Sequence, residues 1–279
     1  MRGGLGTVAL ALRDAAARLA ATSETPRLDA EVLMAYALTA TRSELLVRHM
    51  DEAIPGDFAA LLDRRLAHEP IAYITGMQEF YGLEFQVTRD VLIPRSDSEV
   101  LVEAALAARP DARRVLDCGT GSGALLLAVL SHLPAARGIG MDRSQAALEI
   151  ASANAAALGI AGATFVESDW SAPDWTADLG TFDLILANPP YVEESADLAA
   201  SVRDHEPAGA LFAGPEGLDA YRVLVPQLPG LLAPGGIALC EIGATQADAV
   251  TEIATRAGFS VKLHRDLEER PRVLQLRIR

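Results

Sequence analysis

The chain has 279 residues, half of them hydrophobic, and a formal net charge of −14 at pH 7. This length exceeds what a single small domain needs, so we expect two domains of unequal size. Proteins that grip nucleic acid neutralise its phosphates with a basic surface, which an acidic chain does not offer overall. The charge therefore argues against DNA or RNA as the main partner and favours a protein or a small molecule.

Membrane and metal sites are also not expected. No apolar run approaches the ~20 residues that cross a bilayer, and the N-terminal segment lacks the cleavage site of a signal peptide, so we expect a cytoplasmic protein. Cys118 and Cys240 lie in separate apolar runs, and the five histidines are scattered without metal-ligand spacing. The sequence therefore predicts neither a structural disulfide nor a bound metal.

Residues 1–75 have the pattern of a helical domain, because apolar positions recur three and four residues apart. Thr25 followed by Pro26 is a typical N-cap and first helical position, and Thr41 with Glu44 fits a capping box. Nothing in this region indicates catalysis. We interpret it as a substrate-docking domain, with a simple packing domain as the alternative.

Residues 76–94 change to an alternating, strand-like pattern with Gly82 as a turn candidate, which predicts a β-hairpin linker. Residues 95–279 alternate between short β-like runs and helical stretches. This pattern predicts an α/β fold with a mainly parallel, doubly wound sheet, in which the last two runs fit a hairpin with one antiparallel strand. The predicted strands are 114–117, 138–142, 163–168, 182–187, 237–242, 259–264 and 273–278.

The first strand of this sheet runs into a glycine-rich loop that starts at Gly119. Glycines at the carboxyl end of a strand let the backbone approach a ligand closely. The second strand ends in Asp142, whose carboxylate can accept hydrogen bonds from both hydroxyls of a ribose. Taken alone, this pattern also fits a nicotinamide dinucleotide site.

Two details favour S-adenosylmethionine as the cofactor. The spacing is GxGxG and not GxGxxG, and Asp117 puts a carboxylate where a dinucleotide brings its pyrophosphate. A sulfonium and an ammonium group suit that carboxylate better. After the third strand, Trp170 either borders the adenine or fills the core. The predicted cofactor-binding residues are Asp117, Gly119, Thr120, Gly121, Ser122, Gly123, Asp142, Asp169, Trp170 and Asn188.

The fourth strand runs directly into Asn188, Pro189, Pro190 and Tyr191, the most informative stretch of the sequence. Each proline fixes its own φ and disfavours the helical region for the residue before it, so Asn188 and Pro189 are held extended. The Asn188 side-chain oxygen and the Pro189 carbonyl can then accept both hydrogens of a planar NH₂ group. These acceptors push electron density onto the nitrogen as it attacks a methyl group, so no general base is required.

With these motifs the sequence resembles the release-factor glutamine methyltransferases over nearly its whole length. Asn-Pro-Pro-Tyr alone is shared with adenine-N6 DNA methyltransferases, so the hairpin-region motifs and the helical N-terminal domain are what indicate this family. Two departures are the serines Ser96 and Ser98, where Pro and Thr are expected, and Cys118, where leucine is more usual. The motifs are residues 69–76, 79–82, 91–95, 117–123, 168–170, 188–191, 205–207, 210–212, 217–222, 241–243 with 246, 266–267 and 272–274.

The resemblance implies a helical domain over residues 1–75, a β-hairpin linker over 76–94 and a seven-stranded, Rossmann-like methyltransferase domain over 95–279. It also implies a substrate: the glutamine of the Gly-Gly-Gln loop of peptide chain release factors, methylated at N5. We expect a monomer with no direct contact to nucleic acid. The residues that this role assigns to the substrate are Asn188, Pro189, Pro190, Tyr191, Phe80, Arg95 and Glu206, with Pro207 as a further candidate.

Three other interpretations stay open. An adenine-N6 methyltransferase acting on DNA or RNA uses the same chemistry, but such enzymes flip their base and usually hold the duplex through basic contacts. A non-catalytic protein that senses the cofactor is disfavoured by the intact Asn-Pro-Pro-Tyr sequence. An NAD-dependent oxidoreductase is supported only by the glycine loop.

Overall fold

The computed structural model describes residues 6–279, which form two compact units. The first unit contains the described residues up to Met77 together with Leu198–His205, and the second contains Gln78–Asp197 and Glu206–Arg279. Residues 1–5 of the predicted N-terminal domain lie outside the described residues, and the predicted limits of the domains stay predictions. Within residues 6–279, none of the helices combines the length and the apolar character of a membrane span.

The first unit is helical, and its core is formed by residues such as Leu12, Leu33 and Phe58. These positions recur along the apolar faces of amphipathic helices, as the sequence pattern predicts. A π-helical turn, Leu45–His49, follows the third helix directly. The helices before the hairpin are α1 (Val8–Leu19), α2 (Pro26–Ala37), α3 (Arg42–Glu44), α4 (Phe58–Leu66) and α5 (Ile71–Thr75).

One of the two predicted helix caps forms as expected. The Thr41 hydroxyl accepts from the Glu44 amide at 3.2 Å and the Glu44 carboxylate accepts from the Thr41 amide at 3.0 Å, so the capping box is present. Thr25 precedes Pro26 at the start of α2, but its side chain does not cap the helix. Its hydroxyl donates instead to the Asp29 carboxylate at 3.0 Å, because this buried carboxylate accepts hydrogen bonds from several partners.

The hairpin occupies only the first half of the predicted linker. Strands β1 (Met77–Phe80) and β2 (Leu83–Gln86) are joined by Tyr81 and Gly82, which have φ values of 51° and 75°. Positive φ at both central residues is typical of a two-residue hairpin turn. The apolar residues after position 86, such as Val91, are buried without forming a strand, so their alternation reflects burial and not β-structure.

The second unit contains, within the described residues, a seven-stranded sheet. Its strands are β3 (Arg114–Cys118), β4 (Arg137–Asp142), β5 (Ala163–Glu167), β6 (Phe182–Ala187), β7 (Leu232–Glu241), β8 (Phe259–Arg265) and β9 (Pro271–Ile278). The spatial order is β5-β4-β3-β6-β7-β9-β8, and β9 runs antiparallel to both of its neighbours. The predicted doubly wound sheet with one antiparallel strand is therefore confirmed.

Helices cover both faces of this sheet. The central strand β6 alternates, with Leu184 and Leu186 in one core and Ile185 and Ala187 in the other, as the two-residue period of a strand requires. The helices after the hairpin are α6 (Glu99–Ala108), α7 (Ala124–His132), α8 (Gln145–Ala157), α9 (Ala200–Arg203), α10 (Asp219–Leu224) and α11 (Ala247–Arg256). The first core contains residues of α6, α7 and α8, and the second contains residues of α10 and α11.

Candidate active site

The two most informative motifs leave the sheet side by side. Strands β3 and β6 are parallel neighbours, with Cys118 opposite Ala187, so the glycine loop and Asn188 follow at the same edge. The strand order reverses between β3 and β6, and open α/β sheets bind ligands at such a switch point. A cavity of about 490 Å³ opens there.

Most of the predicted site residues line this cavity. Asp117, Gly123, Pro189, Tyr191 and Glu206 do not belong to its wall. The fold nevertheless brings both predicted sets, for the cofactor and for the substrate, to one edge of one sheet. The predicted residues that line the cavity are Gly119, Thr120, Gly121, Ser122, Asp142, Asp169, Trp170, Asn188, Pro190, Phe80, Arg95 and Pro207.

The glycine loop depends on backbone conformations that L-residues rarely adopt. Gly119, Gly121 and Gly123 have φ values of 76°, 53° and 82°. A Cβ on Gly119 would also lie 3.1 Å from the Trp170 ring. The Gly119 amide donates to the Met141 carbonyl at 2.9 Å, which fixes the loop against β4. All three glycines are therefore required by the turn, and Gly119 is also required by the close approach of Trp170.

Asp117 is a buried carboxylate with one unsatisfied oxygen. Its Oδ2 accepts a hydrogen bond from the Thr120 hydroxyl at 2.7 Å, whereas its Oδ1 has no hydrogen-bond partner among the described residues. Burial, with a smaller contribution from the charge of Asp142, raises the pKa of Asp117 to about 7, while the Thr120 hydrogen bond opposes the change. Buried polar atoms are normally paired, so this oxygen fits a donor supplied by a ligand.

Asp142 and Asp169 are held by local hydrogen bonds. The Asp142 carboxylate accepts from the amides of Gly121 and Ser144 at 3.0 and 2.9 Å. Each carboxylate oxygen has more than one acceptor site, so both retain capacity for a ribose diol. Asp169 Oδ1 accepts from the hydroxyl and amide of Ser171 at 2.7 and 2.8 Å, and these bonds lower the pKa of Asp169.

Trp170 borders the cavity and also packs against the core. Its ring lies over Gly119, and its backbone carbonyl accepts from the Gln227 side chain at 3.0 Å. The two alternatives that the sequence leaves open for Trp170 are therefore compatible, since one face of a partly exposed ring can pack while an edge stays accessible. Its contact with an adenine stays a prediction.

These residues fit S-adenosylmethionine. A cavity of about 490 Å³ has the size of pockets that enclose small molecules and cofactors. Asp117 offers an unpaired oxygen to a cationic group, and Asp142 offers a carboxylate that two backbone amides hold in place. The positive-φ glycines leave the loop backbone open toward the ligand.

Asn188 is oriented by a residue that the sequence patterns did not indicate. Its Nδ2 donates to the Ser98 hydroxyl at 3.4 Å, and Ser98 is buried at the start of α6. Because the nitrogen of the amide is tied down, the Oδ1 of Asn188 is the atom that can accept from a substrate. Ser98 replaces the expected threonine and keeps the hydroxyl that makes this contact.

Tyr191 is anchored through both its side chain and its backbone. The phenol donates to Glu241 Oε1 at 3.4 Å, and the carbonyl of Tyr191 accepts from Gln246 Nε2 at 3.0 Å. The Gln246 side-chain oxygen in turn accepts from the Gly243 amide at 3.0 Å. Burial raises the pKa of Tyr191, and the nearby Glu241 carboxylate adds to the effect. The motif at residues 241–246 therefore supports the Asn-Pro-Pro-Tyr segment.

Two predicted substrate residues, Arg95 and Glu206, pair with each other. Glu206 is buried, and it accepts from the Arg95 guanidinium and, at 3.2 Å, from the Ile93 amide. This pairing holds the segment from Ile93 to Arg95 beside the cavity. Phe80 is almost fully buried and meets Phe85 edge to face, with ring centroids 6.2 Å apart. Contacts of these residues with a substrate stay predictions.

Comparison with known proteins identifies the family. A model described as the PrmC N-terminal domain matches residues 11–76, and one described as the methyltransferase small domain matches residues 96–204. The release factor glutamine methyltransferase of Moorella thermoacetica is 46% identical over 261 residues, which cover 90% of this chain and 91% of that protein. That of Cereibacter sphaeroides is 44% identical over 278 residues and covers 96% and 97%. The chain belongs to the release factor glutamine methyltransferase family.

Solved structures with low sequence identity share the fold of this methyltransferase family member. The hMettl16 catalytic domain, solved in complex with the MAT2A 3′UTR hairpin 6, is 15% identical with a TM-score of 0.57 and covers 78% of this chain and 82% of that one. A methyltransferase from Pyrococcus furiosus is 18% identical with a TM-score of 0.52 and covers 78% and 98%. These likenesses concern the architecture alone.

Asn154 is another residue of this methyltransferase that sequence patterns did not indicate. Its side chain bonds both backbone groups of Gln86, at 2.7 and 3.0 Å, and donates to the Ser122 carbonyl at 2.9 Å. Asn154 therefore connects the hairpin to the glycine loop, and no short sequence pattern around it indicates partners so far away in sequence.

Gly140 could have been recognised from the sequence, because a glycine inside a strand often marks a close approach. A Cβ there would lie 2.8 Å from the Thr120 hydroxyl.

Proposed function

We propose that this chain transfers a methyl group from S-adenosylmethionine to the side-chain N5 of the Gly-Gly-Gln glutamine in peptide chain release factors. The observation that carries the proposal is the anchoring of Asn188, whose amide nitrogen donates to Ser98 beside the cavity that contains the glycine loop. This arrangement presents an acceptor oxygen to an incoming amide. Membership of the release factor glutamine methyltransferase family supports the choice of substrate.

The cofactor fits the residues around the glycine loop. S-adenosylmethionine supplies an electrophilic methyl group when it is bound. Asp142 is suited to the ribose hydroxyls because its carboxylate is oriented by two backbone amides. Asp117 is suited to the cationic end of the ligand because its Oδ1 is buried and unpaired. Asp169 and Trp170 line the part of the cavity that we assign to the adenine.

The substrate amide is held by two acceptors. The Asn188 Oδ1 and the Pro189 carbonyl accept its two N–H groups, which orients the nitrogen and increases the electron density on it. Neither acceptor is a base at neutral pH, so the residues act by position and electrostatics. Tyr191 provides an aromatic wall that Glu241 and Gln246 keep in place.

We further propose a cytoplasmic monomer that acts on the release factor without binding nucleic acid directly. The net charge of −14 supports this part of the proposal, because counterion release favours basic proteins on DNA and RNA. An acidic surface also suits a protein partner whose docking face is basic.

A methyl-transfer assay tests the function. Labelled S-adenosylmethionine is incubated with the enzyme and a purified release factor, with the Gln→Ala variant of its Gly-Gly-Gln loop, or with duplex DNA. We expect label on the wild-type factor alone. Label on DNA alone would support methyl transfer to a planar amino group but would identify adenine, and not the glutamine, as the substrate. Equal label on the wild-type and variant factors would place the methyl group on a residue other than this glutamine.

A further inference from the structure

A buried polar cluster lies behind the Asn-Pro-Pro-Tyr segment. Glu241, the last residue of β7, is 1% exposed, and its Oε1 accepts from the Tyr191 hydroxyl at 3.4 Å. Ser98 is 4% exposed, and its hydroxyl accepts from Asn188 Nδ2 at 3.4 Å. Ser98 and Glu241, which are distant in sequence from the Asn-Pro-Pro-Tyr segment, therefore contact Asn188 and Tyr191 within it.

The hydrogen-bond direction within this cluster is set by Glu241. A serine hydroxyl that accepts from Asn188 still has its own proton to donate. The Ser98 hydroxyl favours the charged form of the Glu241 carboxylate, and Glu241 Oε2 has no hydrogen-bond partner among the described residues. A Ser98 hydroxyl that donates to this oxygen gives all three groups a partner, in the direction Asn188 to Ser98 to Glu241. It also turns the nitrogen of Asn188 away from the substrate and its oxygen toward the substrate.

Burial and the neighbouring groups act in opposite directions on the pKa of Glu241. Burial is the largest cause that raises the pKa of Glu241, and Asp97 adds to it; against the opposing effects of Ser98, Arg272 and Tyr191 the pKa is raised to about 7. Arg272 is held in place by Asp97 at 2.5 Å and by Asp266 at 2.9 Å. The Arg272 guanidinium is therefore fixed by these two ion pairs, and its positive charge favours the charged form of the Glu241 carboxylate.

We propose that Ser98 and Glu241 are positioning residues that fix the Asn188 side chain with its oxygen toward the substrate amide and hold Tyr191 beside it. This inference rests on the proposed function for its catalytic consequence. The anchoring itself is a property of the chain and can be measured without a substrate. An asparagine amide can present either an oxygen or an NH₂ group, and only the oxygen accepts from a substrate amide.

The first experiment follows the Asn188 side-chain NH₂ group by nuclear magnetic resonance in the full chain. Its signals are assigned by their loss in Asn188→Ala, and their hydrogen exchange is compared among variants. We expect Ser98→Ala and Glu241→Gln to speed this exchange about tenfold, as loss of a hydrogen bond of ordinary strength implies. Ser98→Thr, which keeps the hydroxyl, restores slow exchange. Unchanged exchange in both Ser98→Ala and Glu241→Gln would overturn the anchoring.

The second experiment measures turnover with the release factor and affinity for S-adenosylmethionine. We expect Glu241→Gln and Ser98→Ala to lower kcat by about ten- to a hundredfold, because small misplacements of an orienting group are costly, while cofactor affinity changes less than about twofold. Ser152→Ala is the matched control, since its exposed hydroxyl bonds only within α8. Altered exchange with unaltered kcat would overturn the positioning role. An inactive wild-type chain with the expected exchange pattern would overturn the proposed function and leave the anchoring intact.

Discussion

At the scale of single residues, the two carboxylates assigned to the cofactor, Asp142 and Asp117, differ in how their oxygens are hydrogen-bonded. Asp142 is satisfied by the backbone amides of Gly121 and Ser144. Asp117 is buried, and its Oδ1 accepts no hydrogen bond from the part of the chain that the structure describes. Burial therefore raises the pKa of Asp117 to about 7. Without a ligand, this residue makes the folded protein sensitive to pH near neutrality.

The first prediction concerns this sensitivity. The pKa of Asp117 rises from 3.8 in the unfolded chain to about 7 in the folded protein, so the folded state holds more protons between these values. The free energy of unfolding therefore falls as the pH rises through this window. Glu241, whose pKa is also raised to about 7, acts in the same direction. In urea titrations across this range, Asp117→Asn should show a shallower pH dependence than the wild type, and an identical slope would contradict the assignment.

The second prediction separates the two halves of the site. Asn188→Ala removes an acceptor for the substrate amide, so kcat should fall by about a hundredfold or more, while cofactor affinity is nearly kept. Asp142→Ala removes an acceptor for the ribose, so the dissociation constant of S-adenosylmethionine should rise about tenfold. Glu167→Ala is the matched control, because this exposed carboxylate is the strand partner of Asp142 and does not line the cavity. Calorimetry and the transfer assay measure both effects, and a loss of kcat under tenfold in Asn188→Ala would remove its assigned role.

At the scale of elements, the hairpin and the glycine loop are positioned by a helix. Asn154 lies on α8, is 2% exposed, and bonds Gln86 of β2 and the Ser122 carbonyl. One side chain therefore sets the distance between two segments that both line or border the cavity. Phe80, at the end of β1 of the same hairpin, lines the cavity.

The third prediction is that Asn154→Ala destabilises the protein by about 1–3 kcal/mol, because it leaves the buried carbonyl of Ser122 and the partly buried backbone groups of Gln86 unpaired. The loss should be visible as a lower midpoint in chemical denaturation. Hydrogen exchange at the Gln86 amide should accelerate more than exchange in β6. Glu149→Ala on the exposed side of the same helix is the control and should change stability little. Equal midpoints for Asn154→Ala and the wild type would exclude this anchoring role.

At the scale of the whole molecule, the two units have separate cores. The core of the first unit is built from α1, α2 and α4 with neighbouring residues, and the cores of the second lie on the two faces of the sheet. Every residue that lines the cavity belongs to the second unit. A cofactor bound in the cavity contacts the second unit, so we expect it to stabilise the second unit more than the first.

The fourth prediction follows from this separation. At a concentration of about one hundred times its dissociation constant, a cofactor stabilises the unit that binds it by about 2.7 kcal/mol. Hydrogen exchange of the strands β3, β4 and β6 should therefore slow when S-adenosylmethionine is added, more than exchange in α1 and α2. Nicotinamide adenine dinucleotide is the control ligand and should slow neither. Equal protection of both units by S-adenosylmethionine would contradict a site built from the second unit alone.

The sequence by itself determined the features that depend on local backbone chemistry. The positive-φ glycines of the loop and the two prolines after Asn188 are recognisable because glycine permits backbone conformations that other residues avoid, whereas proline fixes its own φ. The strand pattern predicted the mainly parallel sheet and its one antiparallel strand, and the Thr41 capping box formed as its four-residue pattern predicted. The start of β7 was missed by five residues, because Pro234 and Gly235 interrupt the pattern and a register shift accommodates them.

Only the tertiary structure decided which side chains support the site. Ser98 is 90 residues from Asn188, Glu241 is 50 residues from Tyr191, and Asn154 is 68 residues from Gln86. A buried polar residue is satisfied by whichever partner the fold brings to it, and no short sequence pattern specifies that partner. The residues around the ligand are visible in the sequence because their own chemistry is distinctive. The residues that hold them are ordinary in type and acquire their role from packing.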